Sequence, residues 1–364
     1  MSSTKGTAAK RHHYVPVFLL QRFTNANGQL SRLDKTTGKP GRCNPEDAAC
    51  VKGYYRYRDH EGDSQNDLEP VLAEIEGEAA AALKRLEEVD IQKGTEDRAI
   101  IAMFLALQRA RTPYGQGVSL ELHRTVMGSM LEVDLTNRPV EQLAHTLGED
   151  GVPLTPDEAE HRRADLLARF ASGNLRLEPQ REAALQGMFY SMEGTAPVIA
   201  DLGWTLLEAP PNAGFVISDT PITMWNPEPR FPFSGDGWCS GPKAETTLPL
   251  SPKLCLKVTS VGPDFETRHA TRGEVNAINA RTFGWAERWI YAPSQQALQD
   301  LRTFTKRRPD LVSLPRPGRA VLLEDADPDN ARPPQPGWPA GLWVDGEQFV
   351  RYEIGTNEIP RRRR

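Results

Sequence analysis

Cysteine is scarce in this sequence: four residues in 364, Cys43, Cys50, Cys239 and Cys255. No two are spaced Cys-x-x-Cys and no histidine stands at zinc-finger spacing from them, which excludes a zinc finger and a disulfide-built scaffold. They are expected as free thiols in a reducing, cytoplasmic compartment, with Cys255 packed in an apolar run. Long apolar runs are missing too. No stretch approaches the roughly 18 residues that a spanning helix needs, so no membrane partner is expected. Met1–Lys10 is polar and reads as a flexible lead-in, not a signal peptide. There is no Gly-rich phosphate loop, no Gly-x-Ser-x-Gly elbow and no His-Glu-x-x-His, which removes the P-loop, dinucleotide-fold, nucleophile-elbow and zincin signatures. The net charge of −5 gives no global field for nucleic acid. Lys306-Arg307-Arg308 and Arg361–Arg364 could touch nucleic acid, but short basic runs of this kind are usually just solvated.

What is present is enough chain for a sizeable core. Leu68, Leu72, Ile75, Ala79, Leu83 and Leu86 recur at helical spacing, with Asp67 as N-cap. A second helix starts at Thr95, runs through Ile101, Phe104 and Leu105, and stops before Pro113. Residues 116–200 read as mostly helical, broken at Arg138-Pro139, residues 151–156 and Gly173; residues 157–170 and 179–194 are the clearest pieces. After Gly203 the pattern turns strand-like, at residues 204–207, 215–218, 246–250, 254–259 and 289–291, with one helix over 273–286. Leu30–Asp34 is an early strand. These readings predict an α+β fold, a central helical region followed by a small, mostly antiparallel sheet. The expected organisation is a flexible stretch at 1–10, one domain at 11–305, a Pro-rich linker at 306–340, and a small hairpin with a basic end at 341–364.

Several polar residues stand where a plain scaffold would not choose them. Arg11-His12-His13-Tyr14-Val15-Pro16 places two imidazoles side by side. In an extended segment their side chains alternate, so one faces inward and the sequence does not say which. Imidazole can move protons near neutral pH or bind a metal; it can also pin a chain end by bonding a carbonyl. On the second helix, Gln108 and Arg111 share the apolar stripe of Ile101, Phe104 and Leu105. A buried Arg there either grips a carboxylate or phosphate, or forms an internal salt bridge, to Asp219 or Glu76. Glu76 borders the stripe of the first long helix. Ser218-Asp219-Thr220-Pro221 ends an apolar strand, where an Asp either serves a site or caps the turn. Asn276 and Asn279 share a helix face and would line the site or bond backbone.

His12-His13-Tyr14-Val15-Pro16, followed by Phe18-Leu19-Leu20 and Phe23, resembles the opening of the HYVP-motif domain family of unknown function, DUF4238. Residues 108–113, residues 215–221 and residues 276–292 resemble further segments of that family, in the same order, so the likeness spans roughly residues 11–293. It implies membership and no activity. The spacing His-His-x-x-Pro is also similar to the start of a ββα-metal nuclease motif, but Asn44 and His60 lack the context that motif requires.

If His12 or His13, Glu76, Gln108, Arg111 and Asp219 converge, with Asn276 and Asn279 beside them, the set contains a base, acids and an anion clamp. That fits a hydrolase, such as a nuclease-like phosphodiesterase, with His12, His13, Asp219 and Glu76 catalytic, and it is compatible with a divalent metal. A non-catalytic module that binds an anionic ligand or a protein partner is the competing expectation. In a third reading every one of these residues is structural.

Overall fold

The computed structural model describes residues 11–58, 64–65, 68–148, 152–227, 242–312, 341–344 and 347–351. In chain order its elements are β1 (His12–His13), α1 (Val17–Gln21), β2 (Leu30–Asp34), β3 (Pro40–Cys43), β4 (Cys50–Val51), β5 (Tyr57–Arg58), β6 (Ser64–Gln65), α2 (Leu68–Leu86), α3 (Glu96–Arg111), α4 (Pro113–Asn137), α5 (Val140–Thr146), α6 (Pro156–Ala171), β7 (Arg176–Leu177), α7 (Arg181–Asp201), β8 (Gly203–Glu208), β9 (Ile217–Ser218), β10 (Thr223–Trp225), β11 (Glu245–Pro249), β12 (Leu254–Thr259), β13 (Phe265–His269), α8 (Arg272–Trp285), β14 (Trp289–Ala292), α9 (Gln295–Arg307), β15 (Gly341–Val344) and β16 (Glu347–Arg351). No described helix is long and apolar enough to cross a membrane. Two compact units result, Met1–Gly117 with Gly187–Pro328, and Val118–Gln186 with Asp329–Arg364.

In the first unit, α2 buries Leu68, Leu72, Ile75, Ala79, Leu83 and Leu86 along one stripe, against α3. Thr95 caps α3 by accepting from the Arg98 amide. Arg98 is fully buried, and its guanidinium donates to the carbonyls of Ile91, Ala200, Leu202 and Asp264 while lying 4.1 Å over the Trp204 ring. Two of those carbonyls belong to the end of α7 and the residue after it, so Arg98 caps that helix from a distance in sequence. A five-stranded sheet runs β10-β11-β12-β8-β13, antiparallel except that β13 lies parallel to β8. A four-stranded antiparallel sheet runs β3-β2-β14-β9.

The fold class is therefore α+β, as expected, but the strands are shared among several sheets and do not form one late sheet. The early strand β2 is drawn to β14 because Leu33 and Ile290 are register partners and join one apolar cluster with Val216, Ala292, Leu298 and Leu301. The strand expected at residues 215–218 narrows to Ile217–Ser218, and α7 continues through Pro197 to Asp201.

The second unit is built by most of α4, α5 and α6 around Leu131, Leu135, Leu143, Leu147, Leu166, Leu175 and Leu177. α6 opens with a full capping box, Thr155 and Glu158. β15 pairs antiparallel with both β16 and β7. Residues 1–10, Asp67, Cys239, most of the Pro-rich stretch and Arg361–Arg364 lie outside the described residues.

Candidate functional site

The strand β1 settles which imidazole faces inward. His12 is buried and His13 half-exposed, as alternation along an extended segment requires. The Tyr55 amide donates to His12 Nδ1 at 2.8 Å, which fixes the remaining ring proton on Nε2; that nitrogen lies 3.5 Å from Glu69 at the start of α2. The His12 ring stacks on Tyr55, with centroids 5.5 Å apart. The carbonyl of Glu46 faces His13 Nε2 at 3.0 Å. A carbonyl only accepts, so His13 carries its proton there.

Behind β1 stands the end of α3. Arg111 is fully buried, and its three nitrogens are all engaged. Nε donates to the Tyr14 carbonyl at 3.0 Å, Nη2 to the His13 carbonyl at 3.1 Å, and Nη1 to Glu76 at 2.8 Å. Gln108 Nε2 donates to the same Tyr14 carbonyl at 2.9 Å, while its Oε1 is buried without a partner. Of the two ion-pair partners considered for Arg111, Glu76 is the one it has. Burial alone would lower the Arg111 pKa, but Tyr55 and Glu76 outweigh it and the net shift is upward. The pair thus holds the His-Tyr backbone in place.

Asp219 follows β9. Its carboxylate accepts three backbone amides, from Glu287, Arg288 and Trp289, each at 2.8 Å. It therefore fastens the turn from α8 into β14, not the turn at Pro221. Its charge reaches a buried group of tyrosines. The Tyr14 hydroxyl is pushed well above its ordinary pKa by burial, then by Asp219, Tyr291, Glu287 and Tyr54. Tyr291 is raised by burial and Asp219 in the same way. Tyr54 packs on both Tyr14 and Tyr55, at 5.6 and 5.0 Å between ring centres. His12, Gln108, Arg111 and Asp219 thus each act on one of these tyrosines, and Glu76 is joined to them through Arg111. Asn279 belongs to its support: Oδ1 accepts from the Val216 amide and Nδ2 donates to the Gly214 carbonyl. Asn276 is half-buried, one turn earlier on α8.

Sequence reading passed over Arg109. Two residues before Arg111 on α3, it points to a different side of the helix, and only one of the two arginines meets Glu76. Arg109 Cζ lies 4.5 Å over the Tyr114 ring and 5.4 Å from the Trp285 ring, and these two rings pack edge to face, 5.3 Å apart. Burial lowers its pKa, with Tyr114 opposing, and no carboxylate among the described residues acts on it. Arg109 Nε, Trp285 Nε1 and Gln116 Nε2 are buried donors without acceptors. Each orphaned buried donor costs about 1–3 kcal/mol. The two ring contacts return only about 1–2 kcal/mol each. The signal in the sequence was Arg109 with an aromatic five residues on, across a helix break at Thr112-Pro113.

Among the described residues no group of three or more His, Cys, Asp or Glu is placed to hold a metal ion. Two hollows have other linings: one includes Thr205, Lys243, Glu245, Lys257 and Glu266, and the other includes Leu147, Glu158, His161 and Asp165 in the second unit. No curated protein and no solved structure matches the chain significantly. One family does, described as a protein of unknown function (DUF4238), over residues 11–296, which includes the His-His-Tyr-Val-Pro segment, both arginines, Asp219 and the strand it fastens. The chain belongs to the DUF4238 family.

Proposed function

We propose that this protein is a binding module for an anionic ligand and performs no chemistry at its His-His-Tyr-Val-Pro cluster. One observation carries the reading. The clamp and the carboxylates that would have to act with a histidine base are engaged elsewhere, Arg111 by two carbonyls and Glu76, and Asp219 by three amides. A general base needs a free lone pair within reach of a substrate, and an anion clamp needs free donors. Support for an anionic ligand comes from Arg109, a half-buried cation on which no described carboxylate acts. A reducing, cytoplasmic compartment accords with this, since Cys43, Cys50 and Cys255 are free.

The test is a turnover screen of the full chain with an activated phosphodiester and an activated carboxylic ester, with and without Mg²⁺, Mn²⁺ and Zn²⁺, in parallel with His13→Ala. The expected result is no turnover above buffer in either protein. Turnover by the wild type that disappears in His13→Ala would replace this reading with a hydrolase.

A further inference from the structure

The break between α3 and α4 gathers features that point to a ligand of stated chemistry. Resting on the binding reading above, we propose that Arg109, Trp285 and the first turn of α4 form a site for an oxyanion, a phosphate or carboxylate group.

The unsatisfied atoms there are all donors. Trp285 is fully buried with Nε1 unpaired, and Arg109, whose Cζ lies 5.4 Å from the Trp285 ring, has no acceptor for Nε. A neutral polar ligand would bring donors as well as acceptors. An oxyanion brings acceptors alone, plus the charge that Arg109 lacks a match for. The orientation of Arg109 fits. Arg109 lies over the Tyr114 ring and shares a side-chain hydrogen bond with Tyr114, while its Nε has no acceptor, and a guanidinium N–H is a strong donor to a carboxylate or phosphate. α4 begins at Pro113, so its positive dipole end lies in the same turn as Tyr114. The amides of Gly115 and Gln116 already bond Thr112, leaving the side chains to make the contacts. Arg109 as a whole is half-buried, while its Nε is enclosed. Trp285 and Tyr114 also pack against Met224 on β10, which fixes the rings and preorganises the site.

The experiment titrates the full chain with inorganic phosphate and, separately, with acetate. Each is matched in ionic strength by sodium chloride and followed by calorimetry and by tryptophan fluorescence. Wild type is compared with Arg109→Gln, which removes the cation, and with Trp285→Phe, which keeps the ring and removes one donor. Circular dichroism establishes folding, and if Arg109→Gln does not fold, Trp285→Phe alone decides. We expect saturable binding of at least one anion by the wild type, weakened about tenfold or more in Arg109→Gln and severalfold in Trp285→Phe. The stronger of the two probes separates a phosphate from a carboxylate. Binding that is unchanged in the folded variants would overturn this site and leave the anion-binding reading standing. No binding of either probe by the wild type would overturn the site. If ester turnover accompanied that result, the binding reading would fall with it.

Discussion

Replacing Asp219 by alanine separates a fastening carboxylate from a catalytic one. The side chain is 2% exposed and accepts three amide hydrogen bonds at 2.8 Å from consecutive residues, Glu287, Arg288 and Trp289. A hydrogen bond to a charged acceptor contributes about 1.5–3 kcal/mol, and each buried amide left without a partner costs up to a similar amount. Arg288 is exposed and its neighbours half-buried, so water replaces part of the loss, and we expect a net destabilisation of about 3 kcal/mol. At about 1.4 kcal/mol per factor of ten, that corresponds to exchange of the Glu287, Arg288 and Trp289 amides about a hundredfold faster. Native-state hydrogen exchange is the right assay, because a chain of two compact units need not unfold in one step. Asp219→Asn keeps one acceptor and should fall roughly midway. A loss under about 1 kcal/mol, or unchanged exchange at residues 287–289, would refute the fastening role, since these bonds would then contribute nothing beyond what water supplies.

Arg111→Lys keeps a charge beside Glu76 but cannot span two carbonyls. We expect about 3 kcal/mol lost in chemical denaturation and faster proteolysis near residues 11–16. Gly115→Ala would put a methyl carbon 2.3 Å from the Arg109 carbonyl oxygen and 2.5 Å from that of Ala110; a drop of about 1–3 kcal/mol, read from the melting temperature, is expected. Glu274 is held at a pKa of about 2 by Arg268 and the Thr271 cap. Because this folded value lies below the unfolded one, the stabilisation is complete above about pH 4.3 and fades as pH falls toward 2. The melting-temperature gap between wild type and Glu274→Gln should therefore be constant at neutral pH and close on acidification. A gap independent of pH would exclude the ion pair as its cause.

Much of this was legible in the sequence because it depended on period and caps. The stripe of α2, the Thr95 start of α3, the breaks between α4, α5, α6 and β7, and the limits of β12 all follow from local spacing. The inward-facing pair Gln108 and Arg111 was legible for the same reason. Strand partners were not. That β2 lies beside β14, or β13 parallel to β8, is decided by which apolar faces meet across the chain. Phe265-Glu266-Thr267-Arg268-His269 has no apolar alternation to announce a strand. α9 carried a readable signal, Ser294 as cap with Leu298 and Leu301 buried, but it borders a charge-rich stretch that hides it. The duties of Asp219 and Asn279 were not legible either, since a side chain bonding backbone dozens of residues away leaves no trace in local pattern. Arg109 left only a weak trace, an aromatic five residues on across the break at Thr112-Pro113, because what marks it most is a missing partner.

The anchoring of the opening segment has a consequence for biosynthesis. His13 and Tyr14 are translated before the side chains that donate to their carbonyls, those of Tyr55, Gln108 and Arg111. β2 must wait longer still, for β14. Contacts of such long range close late and slow folding. Until residue 292 has been translated, β2 offers one bare edge to any other nascent chain nearby.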